Sequence, residues 1–474
     1  MPTASLIATL LDPPSPDGAE LTALPESVEW LEVRADRVGD IDPEWLRDHF
    51  KGRLLYAFRT GDGVALNRSE RLKTAAQFYD SVELEVETDT TEELLGLIPA
   101  EKRLLSWYGN VNDLSQLNDR FTQVSSVPAT AYKIVTTAET IAQEFLPLSL
   151  LKSLQRTDTI AFSNGPLGFW NRLVALHLGA PAIFGLVSGG SAADMEPSIG
   201  KLIADYGLPE VSPAQELFAI IGNPIFHSLS PRLHNASYRA INHAALFVPL
   251  RVDSFAEFWR DFVTSRKLDE FGMPINGMTV ASPHKEEAVL TAKTVTGMVR
   301  QTEATNILVR NNGWWTADTT DPDVVYSVSV KEKRAAVFGC GGAGRAIAAA
   351  LVQSGAGVTL INRGAERGEH AAALLGLPYI PLRDFDAEGY DIVVNATPVG
   401  RDTDEAPFEV ERLSNNAVVI DLVYGSRPTH IVDTTRSRQQ FAIDGRDVLV
   451  TQVSHQFRLM TGKEMPIPQI MKIL

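Results

Sequence analysis

Residues 335–363, AAVFGCGGAGRAIAAALVQSGAGVTLINR, admit few folds. A short apolar run ending in Val337-Phe338 reads as a buried parallel strand, and an alanine-rich helix follows at once. Gly339, Gly341 and Gly344 fall between them in the G-x-G-x-x-G register, and a second strand over 358–361 closes a βαβ unit. The first glycine permits a tight turn, the second lets backbone approach a pyrophosphate, and the third lets helix and strand pack closely. Free N–H groups at the helix start then favour phosphate. The loop 339–344, Gly342 and Ala343 included, is the candidate dinucleotide cradle. An empty structural turn is the alternative.

The end of the second strand bears on which dinucleotide. NAD units place an acid there for the ribose 2′-hydroxyl. This chain has Asn362-Arg363, with Arg367 one turn on. Two guanidiniums and no acid suit a 2′-phosphate, so NADP is expected, against arginines that merely sit on a solvated helix start.

A chain of 474 residues exceeds one core and should form two to four domains. The net charge of −16 disfavours nucleic acid or an anionic membrane as partner, but not a small anion in a local basic pocket. The single cysteine, Cys340, excludes an intrachain disulfide and suits a reducing cytoplasm. SLIATLL near the start lacks a basic flank and runs into Asp12-Pro13-Pro14, so it reads as a strand and not as a signal peptide. No apolar run reaches membrane-spanning length.

From 5 to about 205, apolar runs at 6–10, 28–33, 54–58, 81–86, 103–107, 131–134, 159–162 and 182–185 alternate with helical stretches such as 43–50, 69–79, 113–121 and 138–146. Eight such repeats predict a (β/α)8 barrel, whose chemistry sits at the C-terminal strand ends. Glu32 and Arg34 leave the second strand, Arg59 ends the third, Lys133 lies in AYKIV, and Arg172 follows FSNGPLGFWN. A lysine pointing into a barrel mouth is partly desolvated, which frees its amine for a Schiff base, and arginines there would hold a carboxylate. A salt-bridged mouth without chemistry is the alternative.

This constellation resembles type I 3-dehydroquinate dehydratase over most of 5–205. The resemblance implies that Lys133 forms the imine, that Glu32, Arg34 and Arg59 line the substrate site, and that Arg172 binds the carboxylate. It also implies a role for Ser191 in the lid SAADM, where Met195 replaces the family's glutamine. Tyr108, in SWYGN, stands where the family has its acid/base histidine, and no histidine occurs between His49 and His177. A weak, altered or lost dehydratase is therefore expected.

Residues 207–213, GLPEVSP, read as a linker. Beyond it, Ser228 and Ser230 precede a helix that Ser230 would cap with Pro231 in its first turn. These hydroxyls suit either a carboxylate or polyol, or ordinary capping. Lys285 follows Pro283 at a strand-to-helix transition, and Asp321 ends WWTADTTD. If they converge they form a proton-transfer pair, and otherwise a surface ion pair.

Taken together these motifs resemble shikimate dehydrogenase over about 216–474. The resemblance implies carboxylate binding by Ser228 and Ser230, a Lys285–Asp321 dyad, ring-hydroxyl contact by Asn306, and further substrate contacts from Tyr424 and Gln452. NATPVG, with Asn395 and Thr397, resembles the family's loop beside the nicotinamide. Two positions depart from the family pattern: Ala281 stands for a threonine, and Pro322 for the glycine after the catalytic aspartate.

The expected architecture is an α/β chain with a barrel over 1–206, a linker over 207–216 and a substrate-binding α/β domain over 217–330. A Rossmann domain over 331–445 and a C-terminal helical segment over 446–474 complete it. The resemblance implies consecutive reactions on 3-dehydroquinate and 3-dehydroshikimate, giving shikimate, with NADP and no metal. A monomer is a plausible state. The alternatives are a shikimate or quinate dehydrogenase carrying a dead barrel, and a non-enzymatic sensor of these metabolites.

Overall fold

A computed structural model describes residues 2–61, 67–189, 196–401, 403–425 and 427–473. They form two compact units, Met1–Ala219 with Pro224–Ile275 and Ile220–Asn223 with Asn276–Leu474.

In the first unit eight strands lie parallel: β1 (Ser5–Leu10), β2 (Val28–Arg34), β3 (Arg53–Ala57), β4 (Ser81–Glu85), β5 (Arg103–Gly109), β6 (Ala131–Thr137), β7 (Thr159–Asn164) and β8 (Ala182–Leu186). The order β7-β6-β5-β4-β3-β2-β1-β8 wraps them into a barrel, with β1 hydrogen-bonded to both β2 and β8. Strands β7 and β8 end that order, so the barrel is nearly closed. Alternate residues fill its interior: Ile7, Leu55, Leu104, Val135, Ile160, Phe162 and Phe184 form one buried cluster. Because side chains alternate along a strand, the polar Thr9, Ser106 and Lys133 share that inward face with Ile7, Leu104 and Val135.

The helix expected over 138–146 forms differently. A 3-10 turn spans Ile141–Phe145, and an α-helix follows over Leu146–Leu154. Pro147 explains the shift, since a residue without an N–H fits only a first helical turn. The same unit holds the start of β9 (Glu216–Gly222), as far as Ala219, then the helix Ser230–Ala240 and β10 (Ala245–Arg251). Residues of 224–275 pack on the outer layer of the barrel: Trp170 meets Phe262 edge-on at 5.0 Å, and Arg232 Nε donates to Asp205 at 2.9 Å.

The second unit holds β11 (Ile275–Val280), β12 (Thr294–Val295), β13 (Ile307–Asn311) and β14 (Trp314–Asp318), with β13 antiparallel to both β11 and β14. It continues with β15 (Arg334–Phe338), β16 (Gly357–Asn362), β17 (Tyr379–Pro381), β18 (Ile392–Asn395), β19 (Val418–Asp421) and β20 (Ala442–Ile443). These six form a parallel sheet in the order β17-β16-β15-β18-β19-β20. The order reverses at β15, and the glycine loop leaves the C-terminal end of that strand. In a doubly wound sheet this is where ligands bind.

Candidate active sites

Neighbouring barrel strands carry the first cluster. Lys133 Nζ on β6 lies 3.3 Å from Glu32 Oε1 and 3.5 Å from Glu83 Oε2, with all three side chains buried. The amine also sits 3.9 Å from the Phe184 ring centroid. Burial pulls the Lys133 amine down from an ordinary lysine's range, while Glu32 and Glu83 push it back. Arg59 Nη2 donates to Glu32 at 3.1 Å, and its guanidinium lies 4.7 Å from the Tyr108 ring centroid. The Tyr108 hydroxyl donates to Glu83. Burial pushes that phenol well above its usual range, and the carboxylates Glu83 and Glu32 add to the rise.

The arginines divide. Arg34 is held bidentately by Asp36 at 2.9 and 2.7 Å, so its fork is already matched by a carboxylate. Arg172 donates to Asn164 and Glu196, both at 2.8 Å. The Nε groups of Arg59 and Arg172 are buried and lack an acceptor among the described residues, as an anion-binding mouth would leave them. Ser191 lies outside the described residues.

In the second unit Lys285 Nζ donates to Asp321 Oδ2 at 2.6 Å. The other oxygen, Oδ1, accepts from Asn306 at 3.0 Å and from Gln452 at 3.1 Å. Asn306 is itself committed to the turn, taking the Thr320 N–H at 2.8 Å and donating to the Thr320 hydroxyl at 3.0 Å. Gln456, one turn beyond Gln452 on the helix Gly445–Thr461, reaches the same hydroxyl at 3.0 Å. Pro322 falls in the first turn of a 3-10 helix, Asp321–Ser327, where a missing N–H breaks no helical bond.

At the glycine loop φ of Gly339 is +93°, and a Cβ there would stand 2.8 Å from the Ala396 carbonyl oxygen. A Cβ at Gly344 would stand 1.8 Å from the Gly339 carbonyl oxygen. At Gly341 it would meet nothing within 4 Å, so the backbone is open to a phosphate. Gly342 begins the helix Gly342–Gln353, and its Cβ would crowd Ala304 and the Lys285 stem. Asn362 closes the loop from below by accepting the Cys340 N–H at 3.2 Å. Arg363 and Arg367 stand exposed beside it with no acid at the strand end. The site therefore fits a dinucleotide bearing a 2′-phosphate. Asn395 is fully buried and saturated by Asp421, Val399 and Thr397, so it shapes the NATPVG loop from beneath and leaves Thr397 partly exposed.

Comparison with known proteins agrees with these clusters. Residues 18–203 match the type I 3-dehydroquinase family model, 220–308 the shikimate dehydrogenase substrate binding domain, and 292–423 the NAD binding domain of D-isomer specific 2-hydroxyacid dehydrogenases. The bifunctional 3-dehydroquinate dehydratase/shikimate dehydrogenase of Arabidopsis thaliana chloroplasts is 26% identical over 92% of this chain and 78% of its own length. The NADP(+) shikimate dehydrogenase of Ignicoccus hospitalis is 34% identical over 52% of this chain and 93% of its own. The chain belongs to the shikimate dehydrogenase family. Ahead of that part it carries a type I 3-dehydroquinase domain. The solved shikimate dehydrogenase of Aquifex aeolicus overlays 55% of the chain and 97% of its own, with a TM-score of 0.50 and 28% identity.

Within this family fold three features escaped the sequence reading. Glu83 joins the lysine cluster from β4. Thr320 and Gln456 support the aspartate turn. Glu286, beside Lys285, accepts from the buried Arg345 at 2.7 Å and lies 3.9 Å from Arg367. One local expectation also changes: Ser230 is the first residue of its helix, and its N–H is taken by the Ser228 hydroxyl at 3.2 Å.

Proposed function

We propose that the second half reduces 3-dehydroshikimate to shikimate with NADPH, and that the barrel condenses 3-dehydroquinate on Lys133 and dehydrates it slowly. The observation that carries the first part is the 2.6 Å Lys285–Asp321 contact, with the carboxylate steadied on its other oxygen. NADPH, when bound, supplies the hydride. Lys285 hands its Nζ proton to the developing alkoxide, and Asp321 orients the ammonium and helps restore that proton. Gly341, Gly342, Ala343 and the helix start would hold the pyrophosphate, with Arg363 and Arg367 on the 2′-phosphate. Assigning Ser228 and Ser230 to the substrate carboxylate, and Tyr424 to the substrate, rests on the sequence resemblance. So do the domain limits 1–206, 217–330, 331–445 and 446–474.

For the barrel the support is a buried lysine with a lowered pKa among unsatisfied arginine donors. Tyr108 slows the later steps, because a phenol raised this far exchanges protons poorly near neutral pH. A second reading, a barrel without turnover, is favoured by Glu196 on the arginine that the substrate carboxylate would need. Small-molecule substrates, a monomeric state and a reducing, cytoplasm-like compartment complete the proposal. Among the described residues no helix is long and apolar enough to cross a membrane.

Both half-reactions are tested on one preparation. Shikimate-dependent NADP reduction is expected, and its absence would sink the dehydrogenase reading. Borohydride with 3-dehydroquinate is expected to leave an adduct on Lys133, and mass mapping without one would remove the imine.

A further inference from the structure

An imine on Lys133 still needs a group to take the proton from the adjacent carbon, and among the described residues no imidazole joins the cluster around Lys133. Two carboxylates reach Lys133 Nζ, and they are not equivalent. Glu32 accepts the Thr9 hydroxyl at 2.7 Å and Arg59 at 3.1 Å. Burial pushes the Glu32 carboxyl up, but Lys133, Arg59 and Arg34 pull it well below the usual carboxylate range, which makes it a poor base. Glu83 Oε1 accepts only the Tyr108 hydroxyl among the described residues, and its Oε2 faces Lys133 at 3.5 Å with Arg59 no nearer than 4.0 Å. The carbon beside an imine stands two bonds from Nζ, and this oxygen is 3.5 Å from Nζ, so the carbon's hydrogen can fall within its reach.

We propose that Glu83 is the general base of the barrel, and that Tyr108 is the hydrogen-bond donor that orients it. This rests on the imine reading given above. The ketone carbon bonds to Lys133 Nζ and its oxygen leaves as water. Glu83 then takes the proton from the adjacent carbon and the released pair forms an enamine, reversibly and with the proton on Glu83 exchanging with solvent, so that a solvent deuteron returns to that carbon. The enamine expels the β-hydroxyl, which leaves as water with the proton returned from Glu83. Hydrolysis frees Lys133 and the unsaturated ketone, for a net loss of one water.

The test follows three signals on the full chain with 3-dehydroquinate: the borohydride adduct on Lys133, solvent deuterium entering the carbon beside the ketone, and the absorbance of the conjugated product. Wild type should show all three. Glu83→Gln should keep the adduct while deuterium entry and product fall by about 100-fold or more. Glu32→Gln should keep deuterium entry in whatever adduct forms. If Glu83→Gln does not fold, Glu83→Asp, with a shorter reach, should show an intermediate loss of deuterium entry at full adduct yield. Deuterium entry unchanged in Glu83→Gln or Glu83→Asp, or lost in Glu32→Gln alone, overturns the assignment. A wild-type adduct without deuterium entry also overturns it and leaves the imine reading standing, whereas no adduct removes both.

Discussion

Each half of the chain places a lysine against carboxylate, and the two are built for different work. Lys133 is 1% exposed and shared between two carboxylates at 3.3 and 3.5 Å, with an aromatic face against it. Lys285 is 18% exposed and bound to one carboxylate at 2.6 Å, whose other oxygen is pinned by two amides. Two long contacts in a buried pocket compensate the ammonium poorly, which suits the nucleophile proposed for Lys133. One short, charge-assisted bond fixes a proton on a path. On the function proposed above, the same residue pair would serve covalent chemistry in one place and proton delivery in the other, with burial and carboxylate geometry deciding which.

The largest effect should come from separating the two lysines. Lys285→Met should lower shikimate-dependent NADP reduction by about 10²–10⁴-fold and leave borohydride trapping on Lys133 intact. Lys133→Met should do the reverse. In wild type, trapping should rise with pH and reach half its maximum below an ordinary lysine's 10.5, because the Lys133 pKa is lowered. A midpoint at or above that value would undo the contrast between the lysines.

Next in size is the cofactor end. Arg363→Ala removes one charge-assisted contact to a 2′-phosphate, about 1.5–3 kcal/mol, so KM for NADP should rise by roughly 10–100-fold. KM for NAD should stay put. Equal losses with both cofactors would mean that Arg363 only shapes the loop.

How much of this was legible in the sequence follows from the range of each signal. The glycine register, the lysine in AYKIV and the lysine after Pro283 are local patterns that fix their own backbone, and the structure places them as expected. Glu83 was not legible. In VELEV two glutamates alternate with apolar residues, and period two says that neighbouring side chains face opposite ways without saying which face is the barrel interior. Arg34 reads as a site residue until Asp36, two residues on, proves to fill its fork. Asn395 looked like a cofactor ligand because its motif is local, while its partner Asp421 comes from another strand. Long-range partners of this kind leave no mark on the sequence around a residue.

A smaller effect should mark the carboxylate on Arg172. Glu196→Gln removes a charge 2.8 Å from the guanidinium, at a residue about one-third exposed. A pair open to solvent on its carboxylate side is worth up to about 1 kcal/mol, so half-saturation for 3-dehydroquinate in the trapping assay should fall by roughly threefold to fivefold. A weaker half-saturation would show that Glu196 positions Arg172 and does not compete with substrate.

The smallest effect concerns the helix that carries Gln452 to the dyad. His455 follows it on Gly445–Thr461, and its Nδ1 lies 2.8 Å from Asp323 Oδ2, two residues past Asp321. The hydrogen bond to Asp323 raises the His455 pKa above 6.5; burial and Arg458 act against it, and Asp318 adds to it. A histidine whose folded pKa lies above its unfolded value stabilises the protein fully below the unfolded value. That contribution is lost as pH rises through the folded one. His455→Asn should therefore lower Tm more at pH 5.5 than at pH 8.5. The pair is partly open to solvent, so the difference should stay under about 1 kcal/mol, a shift of roughly 1–2 °C in a chain of this length. Because Gln452 and Gln456 flank His455, KM for shikimate should rise along the same pH axis if the clip steadies the dyad. A Tm difference that grows with pH, or a KM that ignores it, would confine His455 to the helix surface.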